Sequence, residues 1–329
     1  MESITKNRQS TQTLLAMIAR AYGPDLVPDA DAEVTELGHG WFNVAYRVTL
    51  RDGRRVVLKI APPEGVPVMT YEHDMMRNEL TAIALVQEHT SVPVPRVDHA
   101  DTTGTLVAAP WFAMPFVDAD NLAVLGEAGG LAPEASAAYG EQLGTLNRQL
   151  NALVGGHFGP LRGPGHPTWR DAFLEMIEDV LRDGERAGVD LGWEPDAIRR
   201  FVAAEADVLD EVVEPRFVEW DLWSGNVMVR DGRIVSIIDH ERALFGDPLM
   251  EIGFAGLDLP AFGDPADFVR GYGREPSTDG ERRRRRLYTL YLVLVMVVET
   301  RYRAYDDPGQ ARWARDRLGE LRAMLGAAD

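Results

Sequence analysis

The sequence predicts a two-lobe α+β protein, with an antiparallel sheet and one main helix in residues 1–117 and a mostly helical lobe in residues 118–329. Three observations predict it. Short β-branched runs separated by glycine turns crowd the first part of the chain, at 34–37, 44–50 and 56–61. Beyond Pro133, apolar residues recur every three or four positions, the period of helices with one buried face. A tight hairpin interrupts that helical part, its strands 227–229 and 234–238 joined through Arg230-Asp231-Gly232-Arg233, and Asp-Gly between β-formers is a strong hairpin signal. A chain of 329 residues is long enough to bury full cores in two lobes.

Taken in order, Leu14, Leu15, Ile18 and Ala19 share a helical face, so a leading helix is expected over 9–22, stopped by Gly23-Pro24. The strand at 34–37 leads through Gly38-His39-Gly40-Trp41-Phe42-Asn43 into the strand at 44–50, and after an Asp52-Gly53 turn the strand at 56–61 carries Lys59. A helix over 73–88 has Met76, Leu80, Ile83, Ala84 and Val86 apolar and Glu79 inside it. Past Val92-Pro93-Val94-Pro95, short strands are expected at 97–100 and 106–109, then a buried one at 111–117. In the second lobe Tyr139, Leu143, Leu146, Leu150 and Leu153 define a helix from Pro133. A Gly/Pro loop at 155–167 gives way at Thr168-Trp169-Arg170-Asp171 to a helix with a capping-box-like start. Asp171, Glu175, Glu178 and Asp179 form an acidic stripe along one side of it. Helices are further expected over 195–212, 249–257, 262–272, from the Arg282–Arg286 run to about Tyr305, and over 308–324, with Glu299 interrupting a buried face. The five arginines read as a solvated first turn paired with nearby acid, not as a nucleic-acid patch.

Composition narrows the function. With no cysteine, disulfides, thiolate metal sites and a cysteine nucleophile are excluded. The longest apolar run, 290–298, falls far short of a membrane span of about 20 residues, and no apolar signal core opens the chain. A cytoplasmic protein without a membrane partner is expected. The net charge of -18 argues against nucleic-acid binding, which asks for a basic face. The acid is unevenly spread: 10 basic and 14 acidic residues lie in 1–117, against 24 and 38 in 118–329. A negative second lobe would draw in a cationic substrate, although a solvated acidic surface that favours solubility accounts for the charge as well.

Chemistry concentrates in residues 217–248, FVEWDLWSGNVMVRDGRIVSIIDHERALFGDP. Asn226 and Asp239 enter and leave the same two-stranded ribbon, and Asp221 lies five residues before the asparagine. A γ-phosphoryl group in transfer needs a divalent metal on its oxygens and a carboxylate to take the acceptor hydroxyl's proton. Two oxygen ligands and one base supply that. Upstream, a glycine turn between two strands lays backbone N–H groups over phosphates. Lys59 adds to it, because only Lys6 and Lys59 among 34 basic residues are lysines. A compact ammonium on an apolar strand just after a glycine loop suits a point charge on phosphates.

The spacing Asp-x4-Asn, followed by a strand pair and a second Asp, resembles the aminoglycoside phosphotransferase family of small-molecule kinases, which has the protein-kinase-like fold. Asp221, Gly225-Asn226, Ile238-Asp239 and Gly246-Asp247-Pro248 match its motifs, and Asn43 with Tyr46-Arg47-Val48 looks like its Asn-x-x-Tyr-Arg-Val pattern. Two departures stand out. Glu219-Trp220 occupies the place of the family's His-Gly, and His240 that of an aromatic residue.

The resemblance implies a five-stranded sheet in the first lobe, Asp221 as base or hydroxyl orienter, Asn226 and Asp239 as Mg²⁺ ligands, and Asp247 as support for the loop. It implies that Gly38, Gly40, Asn43 and Lys59 hold the nucleotide, with Glu79, or else Glu72, pairing with Lys59. The adenine would meet Met114 and the backbone of Phe116 and Val117, since Pro115 has no N–H to donate. The expected reaction moves the γ-phosphoryl group of ATP or GTP, with Mg²⁺, to a hydroxyl of a small molecule, a cationic antibiotic or amino sugar, in a setting of antibiotic resistance. The alternatives are a sugar, choline-like or homoserine-like acceptor, or a non-catalytic nucleotide-binding scaffold. Asp171, Glu175, Glu178 and Glu299 are the candidate acceptor contacts, and a monomer or homodimer is expected. A protein-kinase role is disfavoured, because eight residues between Asp239 and Pro248 leave no room for an activation loop.

Overall fold

The computed structural model describes residues 3–29, 33–38, 40–304 and 308–326. His39 of the glycine turn and Tyr305, the expected end of the long helix, lie outside the described residues. The chain clusters into two units, one of residues 1–68, 95–118 and 303–306 and the other of residues 69–94, 119–302 and 307–329. Residues 69–94, which carry Glu79, therefore count with the second unit.

In the first unit the side chain of Ser10 accepts the Thr13 N–H at 3.1 Å and so starts helix α1 at Thr11–Tyr22, two residues later than the apolar period alone places it. Strands β1 (Val34–Leu37), β2 (Val44–Thr49), β3 (Arg55–Ile60), β4 (His99–Asp101) and β5 (Trp111–Pro115) form one sheet. Its order is β1-β2-β3-β5-β4, and every pair is antiparallel. β3 lies at the centre and is buried from Val56 to Ile60, in keeping with a run that is apolar except for Lys59. Residues 106–109, expected as a strand, make no ladder. β5 stops at Pro115, although the Phe116 N–H still donates to the Arg55 carbonyl at 2.9 Å.

The second unit opens with α2 (Met75–His89) and continues through β6 (Asp120–Asn121), α3 (Leu122–Glu127), α4 (Pro133–Leu150), β7 (Gly159–Pro160), α5 (Trp169–Ala187) and α6 (Pro195–Glu205). Then come β8 (Arg216–Val218), β9 (Val227–Arg230), β10 (Arg233–Ile237), β11 (Leu244–Gly246), α7 (Ala266–Tyr272), α8 (Asp279–Arg303) and α9 (Pro308–Leu325). Two small antiparallel sheets, β10-β9-β6 and β7-β11-β8, sit among the helices. The β9–β10 turn places Asp231 and Gly232 at φ 51 and 75, the left-handed pair that a two-residue hairpin requires. Trp169 and Phe173 of α5 pack edge-on against Tyr288 of α8, with ring centroids 6.0 and 5.2 Å apart.

Two expectations for this unit need correction. Residues 249–257 form short 3-10 turns instead of a helix, in a stretch broken by Gly253, Gly256, Pro248 and Pro260. The arginine run is not simply a solvated first turn. Arg284 and Arg285 are 6% and 2% exposed, and each is neutralised by buried acid, Arg284 by Asp247 at 2.8 Å and Arg285 by Asp258 at 3.1 Å. Among the described residues no helix is long and apolar enough to cross a membrane.

Candidate active site

The loop after β8 carries Asp221. Its approach is held by a buried carboxylate: Glu251 accepts the N–H groups of Glu219 and Trp220, both at 2.9 Å, and the Asn151 Nδ2–H at 2.8 Å. Asn151 is in turn bonded to the Phe217 carbonyl at 2.7 Å and accepts the Tyr272 hydroxyl at 2.9 Å. Trp220 stands at φ +60, the left-handed region that glycine occupies freely and other residues rarely do. The two backbone N–H groups gripped by Glu251 are the ones that lead into this conformation. Burial raises the pKa of Glu251 to about 7, against the pull of its Asn147, Asn151 and backbone donors.

Asp221 and Asn226 meet directly. The Asn226 Nδ2–H donates to the Asp221 carbonyl at 2.9 Å and lies 3.4 Å from Asp221 Oδ2. That direction leaves Asn226 Oδ1 as the atom available to a cation. The Ile238 N–H donates to the Asn226 carbonyl at 2.9 Å, which ties the asparagine to the strand end that precedes Asp239. Asp239 itself sits at φ +63 and turns the chain into His240-Glu241-Arg242.

Arg242, which belongs to none of the motifs above, is central to the arrangement. Its guanidinium lies 5.4 Å over the Tyr71 ring and 5.5 Å over the Trp220 ring, bonds Glu299 at 3.1 Å, and comes within 3.8 Å of Asp221. Burial raises the Asp221 pKa to about 7; Arg242 opposes the rise, and Glu241, Glu299 and Asp239 add to it. Asp239, Glu241 and Glu299 thus act on Asp221 from close by, with Arg242 opposing them, and a divalent cation would be favoured beside such a group of carboxylates. Asn226 and Asp239 are oxygen donors of the kind Mg²⁺ takes when substrate phosphates complete its shell, so the donor set fits that ion. Among the described residues there is no group of three or more His, Cys, Asp or Glu side chains arranged for a metal, and such a shared site requires none.

The two departures from the family motif touch one another. His240 Nδ1 lies 2.8 Å from Glu219 Oε1, and His240 Nε2 bonds the Ile237 carbonyl at 3.0 Å. Both side chains are buried, at 0% and 1% exposure. Burial works against the imidazolium, but the charge and hydrogen bond of Glu219, with a further contribution from Glu79, hold its pKa above the ordinary value. Asn78 of α2 donates to the carbonyls of Glu241 and Ala243 at 3.0 and 2.8 Å, so the helix that carries Glu79 is fastened to the same segment.

Asp247 accepts Arg284 Nε–H and the Tyr288 hydroxyl, both at 2.8 Å, and caps the Leu249 N–H at 3.0 Å. The Trp169 Nε1–H donates to Tyr288 at 2.8 Å, extending the chain of bonds into the core. Gly246 cannot carry a side chain, since a Cβ would come within 2.7 Å of the Trp169 ring.

Of the expected nucleotide contacts, Gly38, Gly40, Asn43, Lys59, Met114, Phe116 and Val117 belong to the first unit. Lys59 is buried on β3, in register with Ala45 and Phe112, and Asn43 is buried just before β2. The Phe116 N–H is already donated to the Arg55 carbonyl at 2.9 Å. In the second unit Glu79 is buried on α2, while Glu72 caps the Met69 N–H at 2.8 Å. Three of the four acidic residues of the α5 stripe are paired within their own unit. Asp171 accepts the Thr168 hydroxyl at 2.7 Å, Glu175 lies 2.5 Å from His166, and Glu178 binds Arg182 and Arg199, both at 2.8 Å.

A family model described as "Phosphotransferase enzyme family" (APH) matches residues 33–288. Among solved structures, the chain resembles a thermostable mutant of aminoglycoside phosphotransferase APH(4)-Ia in complex with AMP-PNP and hygromycin B, at 20% identity and TM-score 0.64, covering 97% of this chain and 100% of that one. A putative fructosamine-3-kinase from Thermobifida fusca matches at 23% identity and TM-score 0.66, over 97% and 100% of the two chains. The GDP and kanamycin complex of APH(2")-IIia matches at 17% identity and TM-score 0.63, over 94% and 98%. These likenesses show a shared α+β kinase-like fold. With most of its length matched by the family model, the chain belongs to the APH phosphotransferase family, whose members are small-molecule phosphotransferases.

Proposed function

We propose that this phosphotransferase moves the γ-phosphoryl group of ATP or GTP, with Mg²⁺, to a hydroxyl of an amine-bearing sugar or related cationic antibiotic. The observation that carries the reading is the grouping of Asp221 and Asn226 with the strand end that leads into Asp239, beside the carboxylates of Glu241 and Glu299. Asp221 takes the acceptor's proton or orients its hydroxyl. Asn226 Oδ1 and the Asp239 carboxylate hold the Mg²⁺, which when bound offsets charge on the phosphate oxygens. In the first unit, Gly38, Gly40, Asn43 and Lys59 are assigned to the nucleotide's phosphates, with Met114 and the Phe116–Val117 backbone assigned to its base.

The cationic acceptor is supported by the excess acid of residues 118–329 and by the names of the structural neighbours, which bind hygromycin B or kanamycin or are called a fructosamine kinase. Glu299 is assigned to the acceptor side together with Arg242, to which it is bonded. Asp171, Glu175 and Glu178, already engaged by partners, are assigned a weaker, long-range attraction for a cation. The test is thermal stabilisation by Mg-ATP and Mg-GTP, followed by nucleoside-diphosphate release against aminoglycosides, amino sugars, neutral sugars and amino alcohols. Stabilisation with release on an amine-bearing sugar is the expected result. No stabilisation by either nucleotide would overturn the reading.

A further inference from the structure

We infer that Glu219 and His240 act as one buried clamp that fixes the catalytic loop against the metal-binding segment, and so positions Asp221 relative to Asp239. The inference rests on the functional reading above and concerns two residues that touch neither substrate nor metal in it. Glu219 stands two residues before Asp221 and His240 one residue after Asp239, so their 2.8 Å bond joins the two segments beside the chemistry. Each end has one further anchor. The Glu219 N–H is held by Glu251 at 2.9 Å, and His240 Nε2 faces the Ile237 carbonyl at 3.0 Å. A carbonyl oxygen only accepts, so Nε2 carries a hydrogen there, and the ring cannot turn without giving up one bond or the other.

The pair is also costly to build for any purpose other than placement. Two buried ionisable groups lose their hydration, and apolar residues of similar volume often give equal or better stability. In this chain both members differ from the residues expected at their positions, and the two differences meet. A change at one end without the other would leave a buried polar group without its partner. Positioning residues around a bound metal commonly change its affinity by about 10–100-fold when replaced.

The test uses three variants of the full chain, Glu219→Met, His240→Phe and the two combined, with Glu219→Gln as the conservative change. Each is measured for its melting temperature without ligand, and for the Mg²⁺ concentration that gives half of the nucleotide-induced stabilisation. The single apolar variants are expected to lose stability and to need about 10-fold more Mg²⁺. The double variant recovers most of the melting temperature, because no buried charge is left without its partner, yet keeps the raised Mg²⁺ requirement. Glu219→Gln retains an acceptor for Nδ1–H and shows a smaller Mg²⁺ shift than Glu219→Met. A double variant with the parent's Mg²⁺ dependence would overturn the clamp and leave the pair a matter of stability alone. Absence of Mg-nucleotide stabilisation in the parent would overturn the functional reading and the clamp with it.

Discussion

Trp220→Gly sets two effects against each other at one residue. The backbone there holds φ +60, which costs an L side chain about 1–2 kcal/mol that glycine would not incur. Against this stands the indole, 3% exposed, whose ring centroid lies 5.9 Å from Tyr71 and 5.1 Å from Tyr291, with the Arg242 guanidinium 5.5 Å over its face. Deleting a buried Trp side chain costs about 3–5 kcal/mol, and glycine's extra freedom in the unfolded chain adds about 0.5–1 kcal/mol. Packing therefore wins by about 3 kcal/mol, a drop in Tm of about 10 °C at roughly 2–4 °C per kcal/mol for a body of this size. Thermal unfolding followed by circular dichroism reads it. Trp220→Ala separates the two contributions: it loses the ring and keeps the strain, so it should melt below Trp220→Gly. A glycine variant as stable as the parent would refute the packing argument, and an alanine variant above the glycine one would refute the strain.

Arg242→Met removes the cation from beside Glu299 and Asp221; with these side chains 14–25% exposed, the loss is expected at roughly 2 kcal/mol, below the 3–5 of a fully buried pair. Adding Glu299→Gln should recover part of the melting temperature, and a double variant no better than the single would contradict the pairing. For Glu251, the folded pKa of about 7 lies above the ordinary 4.5, so the folded chain binds the proton more tightly than the unfolded one. The stability this group contributes is complete below about pH 4.5 and is lost as pH rises toward 7, by at most about 1.4 kcal/mol per pH unit. Parent stability measured against Glu251→Gln, which does not titrate, should therefore fall between pH 5 and 7; a rise over that interval would contradict the assignment.

Local chemistry made much of the fold and part of the site legible. The hairpin could be read because Asp231-Gly232 suits left-handed backbone and β-branched residues flank it. β3 could be read because a strand buried on both faces shows a run of apolar residues on both, here interrupted only by Lys59. What escaped was pairing over long sequence separations. Glu219 and His240 each looked like an isolated departure from a motif, and only the folded chain brings them within 2.8 Å. Arg242 lay in plain view three residues after Asp239, but its neighbours Tyr71, Trp220 and Glu299 come from three separate stretches of the chain. The arginine run misled for the same reason. Charge in a row resembles a solvated face, and the acid that lets Arg284 and Arg285 go inside, Asp247 and Asp258, comes from residues far up the chain. The short 3-10 turns after Pro248 escaped because an apolar stretch of that length fits helix and turn alike.

The central claim is that Asp221 serves the acceptor hydroxyl while Asn226 and Asp239 hold nucleotide-bound Mg²⁺. Its most direct test is a side-by-side measurement of Mg-nucleotide binding and turnover in the parent, Asp221→Ala and Asp239→Ala. The account predicts that Asp221→Ala binds Mg-nucleotide as the parent does and turns over at least about 100-fold more slowly, while Asp239→Ala loses the Mg²⁺-dependent part of nucleotide binding. Turnover by Asp221→Ala at the parent's rate would contradict it.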